Sequence, residues 1–213
     1  MAQQIDLTDQ VFDIAVETAL RNINAGEVIV APSEFGYVYL CDAFKKDAVK
    51  AVHILRGDAE GVVPQVFIKD TKVLTGLVTN VSKEINLLTE KFWPGPLSIT
   101  FNVQPGLSWN LGDNNRLGKV NIRVPNHKFL LQVLSNTGPL VVAAAALSGK
   151  ASTLDLAELP INENDIGVIF ADGVLTSPGK STIIDATGTA LKVKRSGVIN
   201  NNQLSEVIPD IFS

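Results

Sequence analysis

Apolar residues recur along this chain with two periods, and the switches between them mark its elements. Val11, Phe12, Ala15, Val16, Ala19 and Leu20 fall on one helical stripe, which predicts an amphipathic helix opened by Thr8, with Asp9 in its first turn, and stopped by Gly26. Glu27 to Ala31, apolar from Val28 onward, predicts a buried strand, broken by Pro32. Tyr37 to Leu40 predicts a second strand, and Ala48, Val49, Val52 and Leu55 place a helix over residues 46–55, ended by Gly57. Val62 to Ile68 reads as a strand whose internal Pro64 points to an edge or entry position.

A short helix near residues 70–78 and a longer one from Ser82 to Phe92 lead into Trp93-Pro94-Gly95-Pro96. That tetrapeptide cannot continue a helix, because each proline lacks an N–H and restricts the residue before it. It launches a strand from Leu97 to Val103. A Gly- and Asn-rich loop of about fifteen residues then precedes the strand Lys119 to Val124, long enough to point to function. His127 to Asn136 is helical. Strands follow at Leu140–Ala146, Ile166–Phe170, Ser181–Asp185 and Leu191–Lys194, with a last short helix from Gln203 to Ile208. Strands and helices interleave without strict alternation, which favours one open α/β sheet of mixed direction over a barrel or a doubly wound parallel sheet. No repeat or linker divides the 213 residues, so we expect a single domain over 1–213.

Composition narrows the class. With 46% apolar but only 6% aromatic residues, the core must be built mainly of Val, Ile, Leu and Ala. The single cysteine, Cys41, excludes an intramolecular disulfide and a cysteine-based metal cluster, and is expected as a small buried hydrophobe. Residues 1–10 hold Asp6 and Asp9 with no basic patch before an apolar run, and the run Leu140 to Leu147 is too short to cross a bilayer. The expected location is cytoplasmic, without membrane contact. Net charge is −4, which disfavours nucleic-acid binding by a general basic surface.

Some candidate chemistry fails on inspection. Gly173 to Thr182 imitates a phosphate-cradling loop, but five residues rather than four separate Gly173 from Gly179. The residues that follow, Ile183-Ile184-Asp185, are strand-forming where that motif must open a helix. His53 and His127 sit on separate helices with no second ligand at metal spacing, so surface positions are expected and no metal site. Arg56-Gly57-Asp58 at a helix end carries no weight as an adhesion tripeptide.

Four marks, in order, carry a resemblance. They are Lys91 to Ser98 around Trp-Pro-Gly-Pro, Asn121-Ile122-Arg123-Val124-Pro125, the run Pro139 to Gly149 ending Leu147-Ser148-Gly149, and Gly179 to Asp185. With them the chain resembles the YrdC-like family of threonylcarbamoyl-AMP synthases from Pro32 to Gly197. The resemblance implies a twisted open mixed sheet bent around a central cleft, with helices on its outer face. It implies an enzyme joining threonine, bicarbonate and ATP with release of pyrophosphate, whose product supplies the threonylcarbamoyl group of certain tRNA adenosines. It also implies magnesium arriving with ATP as co-substrate, no tightly bound cofactor, and a double-stranded RNA partner that the net charge does not support.

Residue by residue, the resemblance assigns threonine contacts to Ser33, Arg123 and Ser181 and nucleotide contacts to Arg56 and Arg195. The catalytic group stays unassigned. Against the motif Pro-Thr-Asp/Glu-Thr-x-Tyr-Gly, the chain reads Pro32 to Val38, with Ser33 keeping a hydroxyl and Val38 replacing the late glycine. Against Lys-x-Arg it reads Arg56-Gly57-Asp58, so that Asp58 sets a carboxylate where a triphosphate is expected, and Val62 replaces a further lysine. Against Ser-Thr-Ser-Ala-Asn it reads Val142 to Ala146, without a hydroxyl or amide. One hydrogen bond to a charged phosphate is worth roughly 1.5–3 kcal/mol, so several losses predict a degenerate nucleotide site. Three readings stay open: a divergent synthase, an inactive paralogue binding a small carboxylate or nucleotide, and a scaffold in which Arg123 is held by an internal ion pair.

Overall fold

The computed structural model of the chain describes residues 2–114, 116, 118–160 and 165–212. Its strands are β1 (Gln3–Asp6), β2 (Ile29–Ser33), β3 (Gly36–Asp42), β4 (Gln65–Phe67), β5 (Leu97–Asn102), β6 (Lys119–Arg123), β7 (Leu140–Ala144), β8 (Val168–Ala171), β9 (Thr182–Asp185) and β10 (Lys192–Arg195). They form one open sheet in the order β1-β8-β2-β3-β7-β4-β6-β5-β9-β10. Parallel pairings (β1 with β8, β4 with β6, β5 with β9) sit among antiparallel ones (β2 with β3, β3 with β7, β5 with β6), so the sheet is mixed as expected.

The helices are α1 (Phe12–Ala25), α2 (Lys46–Arg56), α3 (Leu74–Leu77), α4 (Lys83–Phe92), α5 (Lys128–Thr137) and α6 (Asn201–Val207). They cover both faces of the sheet, not an outer face alone. Strand alternation explains this. Val30, Tyr39, Cys41, Val66, Ile99, Ile122 and Val141 pack with Ala48, Val49 and Val52 of α2, Ile85 and Leu88 of α4 and Leu204 of α6. The opposite side chains of the same strands, Ile29, Leu40, Phe67, Leu140, Val142 and Val168, pack with Ala15, Val16 and Ala19 of α1 and Phe129, Val133 and Leu134 of α5. This second cover reaches only as far as β4.

Several boundaries differ from the sequence reading. α1 begins at Phe12, not Thr8, because a turn in which Val11 N–H donates to the Thr8 carbonyl (3.1 Å) first reverses the chain after β1. The strand β1 itself, polar and largely exposed, carries no apolar signal. Pro32 lies inside β2 rather than ending it. From Ala31 onward β2 pairs only with β3, so the missing N–H interrupts no second ladder. β4 is a central strand between β7 and β6, and Pro64 stands just before its first residue, an entry position rather than an edge. No helix among the described residues is long and apolar enough to cross a membrane.

Candidate functional site

Past β4, the sheet face that α1 and α5 leave uncovered turns polar. Gln65, Asn121 and Arg123, then Ser98 and Thr100, project on the same face as Phe67 and Val142, as the register Gln65 with Asn121, Asn121 with Thr100, and Gln65 with Val142 requires. Ser181, just ahead of β9, and Arg195 of β10 complete the row.

Trp93-Pro94-Gly95-Pro96 joins these residues. Arg123 Nε donates to the Gly95 carbonyl at 2.8 Å, and Gly95 N–H donates to the Val124 carbonyl at 2.9 Å. The next carbonyl, of Pro96, accepts Thr182 N–H at 2.9 Å. One turn thus anchors both the end of β6 and the start of β9, and so brings Arg123 and Ser181 to the same region.

Arg123 is 3% exposed. Its Nη2 donates to Glu34 Oε1, which also accepts Asn126 N–H at 2.6 Å. The guanidinium lies over the Phe35 ring, 4.6 Å from its centroid, with Phe67 at 5.4 Å. Burial lowers the Arg123 pKa, opposed by the Glu34 charge. Nη1 makes no hydrogen bond among the described residues and is the one nitrogen left for a ligand carboxylate.

Ser181 is 8% exposed. Its Oγ accepts from Arg195 Nη2 at 2.9 Å and from the Ser98 hydroxyl at 3.1 Å, while Arg195 Nε donates to the Ser181 carbonyl at 3.0 Å. A bulge makes this contact possible. β10 pairs Val193 with Ile184 but Arg195, not Lys194, with Ile183, so the extra residue returns Arg195 to the polar face. Behind Ser98, Gln65 Nε2 donates to Ser98 Oγ at 2.7 Å and to Asn121 Oδ1.

Ser33 is used differently. Its hydroxyl donates to the Gly36 carbonyl at 2.6 Å and closes the turn between β2 and β3, leaving only a lone pair for a ligand. Arg56 is also committed. It donates through Nε to Asp58 Oδ2 (3.2 Å) and through Nη1 to the Ala144 and Ala146 carbonyls (2.6 and 3.1 Å).

Asp58 further accepts from, or shares a proton with, His53 Nδ1 at 3.0 Å, and its side chain is 2% exposed. Burial alone would raise the Asp58 carboxyl. Hydrogen bonds from Ser148, His53 and Arg56, together with the Arg56 charge, outweigh that and hold it below its ordinary value. Asp58 is therefore a clamp between α2 and the segment after β7, not a free carboxylate facing a phosphate. His53 is correspondingly half-buried, its Nε2 3.0 Å from the Leu111 carbonyl, and His127 is half-buried with no partner for Nδ1 among the described residues. The expected surface positions of both are corrected. Ala145 and Ala146 are buried, and the carbonyl of Ala145 accepts the Thr153 hydroxyl.

Hollows of about 380 and 240 Å³ lie along the β5–β6 loop, lined by Trp109, Leu111 and Asp113 in the first and by Glu60, Asp113 and Arg116 in the second. Ser33, Arg123 and Ser181 line neither. Sequence reasoning missed Glu34, Phe35, Gln65 and Ser98. Alternation in β4 and β5, each placing a polar residue inside an apolar strand, was the available signal for the last two.

The Sua5/YciO/YrdC family model, described as "Telomere recombination", matches residues 21–197. The chain belongs to this family. A Mycobacterium tuberculosis (strain ATCC 25618 / H37Rv) protein named "Putative threonylcarbamoyl-AMP synthase" is 30% identical over 194 residues, covering 91% of this chain and 88% of its own. The Bacillus subtilis (strain 168) threonylcarbamoyl-AMP synthase is 27% identical over 212 residues, covering 97% of this chain and 61% of its own. Among solved structures, Pyrococcus abyssi Sua5 complexed with L-threonine superposes with a TM-score of 0.83 at 22% identity, over 98% of this chain and 61% of that one. Escherichia coli YciO superposes with a TM-score of 0.77 at 22% identity, over 93% of this chain and 97% of its own. The Sua5/YciO/YrdC fold is thus shared, and this chain spans about 61% of the Sua5 chain.

Proposed function

We propose that this family member binds threonine on the polar half of the sheet face and joins it with bicarbonate and ATP as a divergent threonylcarbamoyl-AMP synthase. The observation that carries the reading is the convergence of Arg123 and Ser181 on the Gly95-Pro96 turn. Arg123 Nη1 and the Ser181 hydroxyl would hold the carboxylate, a charge-assisted arrangement that fixes orientation as well as affinity. The internal ion pair that the scaffold reading expects is present between Arg123 and Glu34, but it leaves part of the guanidinium unengaged. Glu34 and Gly95 engage only Nη2 and Nε, which supports a ligand role instead.

The nucleotide half is altered. Arg56 is held through Nε and Nη1 by Asp58 and two carbonyls, and Arg195 through Nε and Nη2 by Ser181, so each guanidinium is fixed in place and could turn only one terminal nitrogen, Arg56 Nη2 or Arg195 Nη1, to a triphosphate. Magnesium would arrive with ATP as co-substrate, on its phosphates. The Arg56–Asp58 clamp favours a second reading, a paralogue that keeps the amino-acid site, or takes another small carboxylate or a nucleotide, without adenylyl transfer. Calorimetric titration with threonine and with ATP, followed by a pyrophosphate-release assay with bicarbonate, decides between them. Pyrophosphate release establishes the synthase. Threonine binding without ATP binding or turnover establishes the second reading with its amino-acid site kept, and binding of neither overturns the synthase and the threonine site together.

A further inference from the structure

The hydroxyls of Ser98 and Ser181 form a chain whose proton direction the surrounding groups dictate. Ser98 is fully buried (0% exposed), so its single proton needs an acceptor inside the protein. Its Oγ already accepts from Gln65 Nε2, a nitrogen that can only donate. Among the described residues the acceptor within reach is Ser181 Oγ, 3.1 Å away. Ser181 Oγ thereby accepts twice, from Ser98 and from Arg195 Nη2. Its two lone pairs are occupied, and its own proton has no partner among the described residues.

We infer that Gln65 is a positioning residue which, through Ser98, fixes the Ser181 hydroxyl as a donor committed to an anionic oxygen of the ligand, a carboxylate or phosphate, and closed to an ammonium. Gln65 is itself oriented. Its second amide hydrogen goes to Asn121 Oδ1, and Asn121 Nδ2 donates to Thr100 Oγ1 at 3.0 Å. The inference rests on the reading of Ser181 as a substrate contact, but the proton direction does not.

Gln65→Glu tests it with an isosteric change. A carboxylate at position 65 only accepts, so the Ser98 proton turns toward it, the Ser181 proton turns toward Ser98, and Ser181 presents a lone pair to the ligand. Neutron diffraction from deuterated crystals of the ligand-free wild type reads the direction without any ligand. Deuterium on Ser98 Oγ aimed at Ser181, with the Ser181 deuterium aimed at neither Ser98 nor Arg195, is expected. A Ser181 deuterium on the line to Ser98 overturns the inference.

Titration with threonine then reads the consequence. Gln65→Glu should weaken binding about tenfold to a hundredfold, the range for a hydrogen bond to a charged group. In a Ser181→Ala background the same change should have no further effect. An equal loss in both backgrounds would mean that charge repulsion alone acts, and the positioning role falls. If the wild type takes no threonine while the neutron map shows the expected protons, the substrate reading falls and the donor assignment stands.

Discussion

Arg123 and Glu34 form an ion pair in which the guanidinium is 3% exposed and the carboxylate 18%. Removing one member of a buried pair leaves a charge without compensation, at a cost of about 3–5 kcal/mol. Glu34 keeps some contact with water, so Glu34→Ala should lie at the low end, about 3 kcal/mol. Glu34→Gln should cost less, since its amide oxygen still accepts from Arg123 and Asn126. Urea unfolding would show a lower midpoint with an unchanged slope. A Glu34→Ala protein as stable as wild type would mean that Arg123 finds another partner.

Stability should fall with acid in two stages. Burial lowers the His127 pKa, against the opposing charges of Glu34 and Asp172. Its neutral form is the one the fold favours, so this contribution is full above the unfolded value of about 6.5 and declines as pH falls below it. Asp58 and Asp185 are both held below the ordinary carboxylate value despite burial, the latter by Thr187 and Lys194. Their contribution is full above about pH 3.9 and is lost as pH falls through the folded value. Asp58→Asn should therefore be less stable at pH 7 and lose part of the lower acid slope, with Asp185 supplying the rest. Denaturant melts between pH 3 and pH 7 check this, and an unchanged lower slope would exclude the Asp58 clamp. Asp58→Arg should be worse than Asp58→Asn, because it adds a cation beside Arg56 and His53.

The β3 interior offers two tests, one of reactivity and one of stability. Burial pushes the Cys41 thiol up to about 12, so it should resist thiol reagents at pH 8 until the protein unfolds. Tyr39 is fully buried with a hydroxyl that has no hydrogen-bond partner among the described residues. Tyr39→Phe removes a desolvated polar group without opening a cavity and should leave stability unchanged or raise it by up to about 1 kcal/mol. A loss greater than that would reveal a bound water on the hydroxyl.

Much of the fold was legible because apolar periodicity and helix stops are local. α2 ends before Gly57, α4 ends at Phe92 and β5 opens after Pro96, as the sequence implied. β1 was not legible, since an exposed edge strand needs no apolar residues. Of the two positions that Pro64 allows for β4, edge or entry, the structure takes the entry, and the sequence does not separate them because a proline reports a missing donor, not the number of neighbours. In the site, Arg123 and Ser181 were visible only through the family resemblance. The partners that define them come from elsewhere in the sheet: Glu34 is 89 residues from Arg123, and Ser98 is 83 from Ser181. Asp58 reads as a free charge in the sequence because nothing in Arg-Gly-Asp announces that His53, five residues earlier, also faces it. The bulge that turns Arg195 toward Ser181 leaves no signal in Lys192-Val193-Lys194-Arg195.

Gly197 controls where Ser181 sits. A β-carbon there would lie 2.2 Å from the Lys180 carbonyl oxygen and 2.6 Å from the Ser181 carbonyl carbon. Both are backbone atoms, so the Lys180–Ser181 segment must move rather than a side-chain tip. That segment is also tied by Val198 N–H to the Lys180 carbonyl (2.9 Å) and Gly197 N–H to Thr182 Oγ1 (3.0 Å). Gly197→Ala should cost about 1–3 kcal/mol, the range for overpacking, and shift Ser181 away from Ser98 and Arg195. Threonine affinity should fall further than global stability explains. Gly188→Ala is the matched control, since its β-carbon would meet nothing closer than the Ala190 carbonyl oxygen at 3.8 Å. Thermal melts paired with threonine titration separate the two effects. A Gly197→Ala protein that binds threonine as tightly as wild type would remove Ser181 from the ligand contacts.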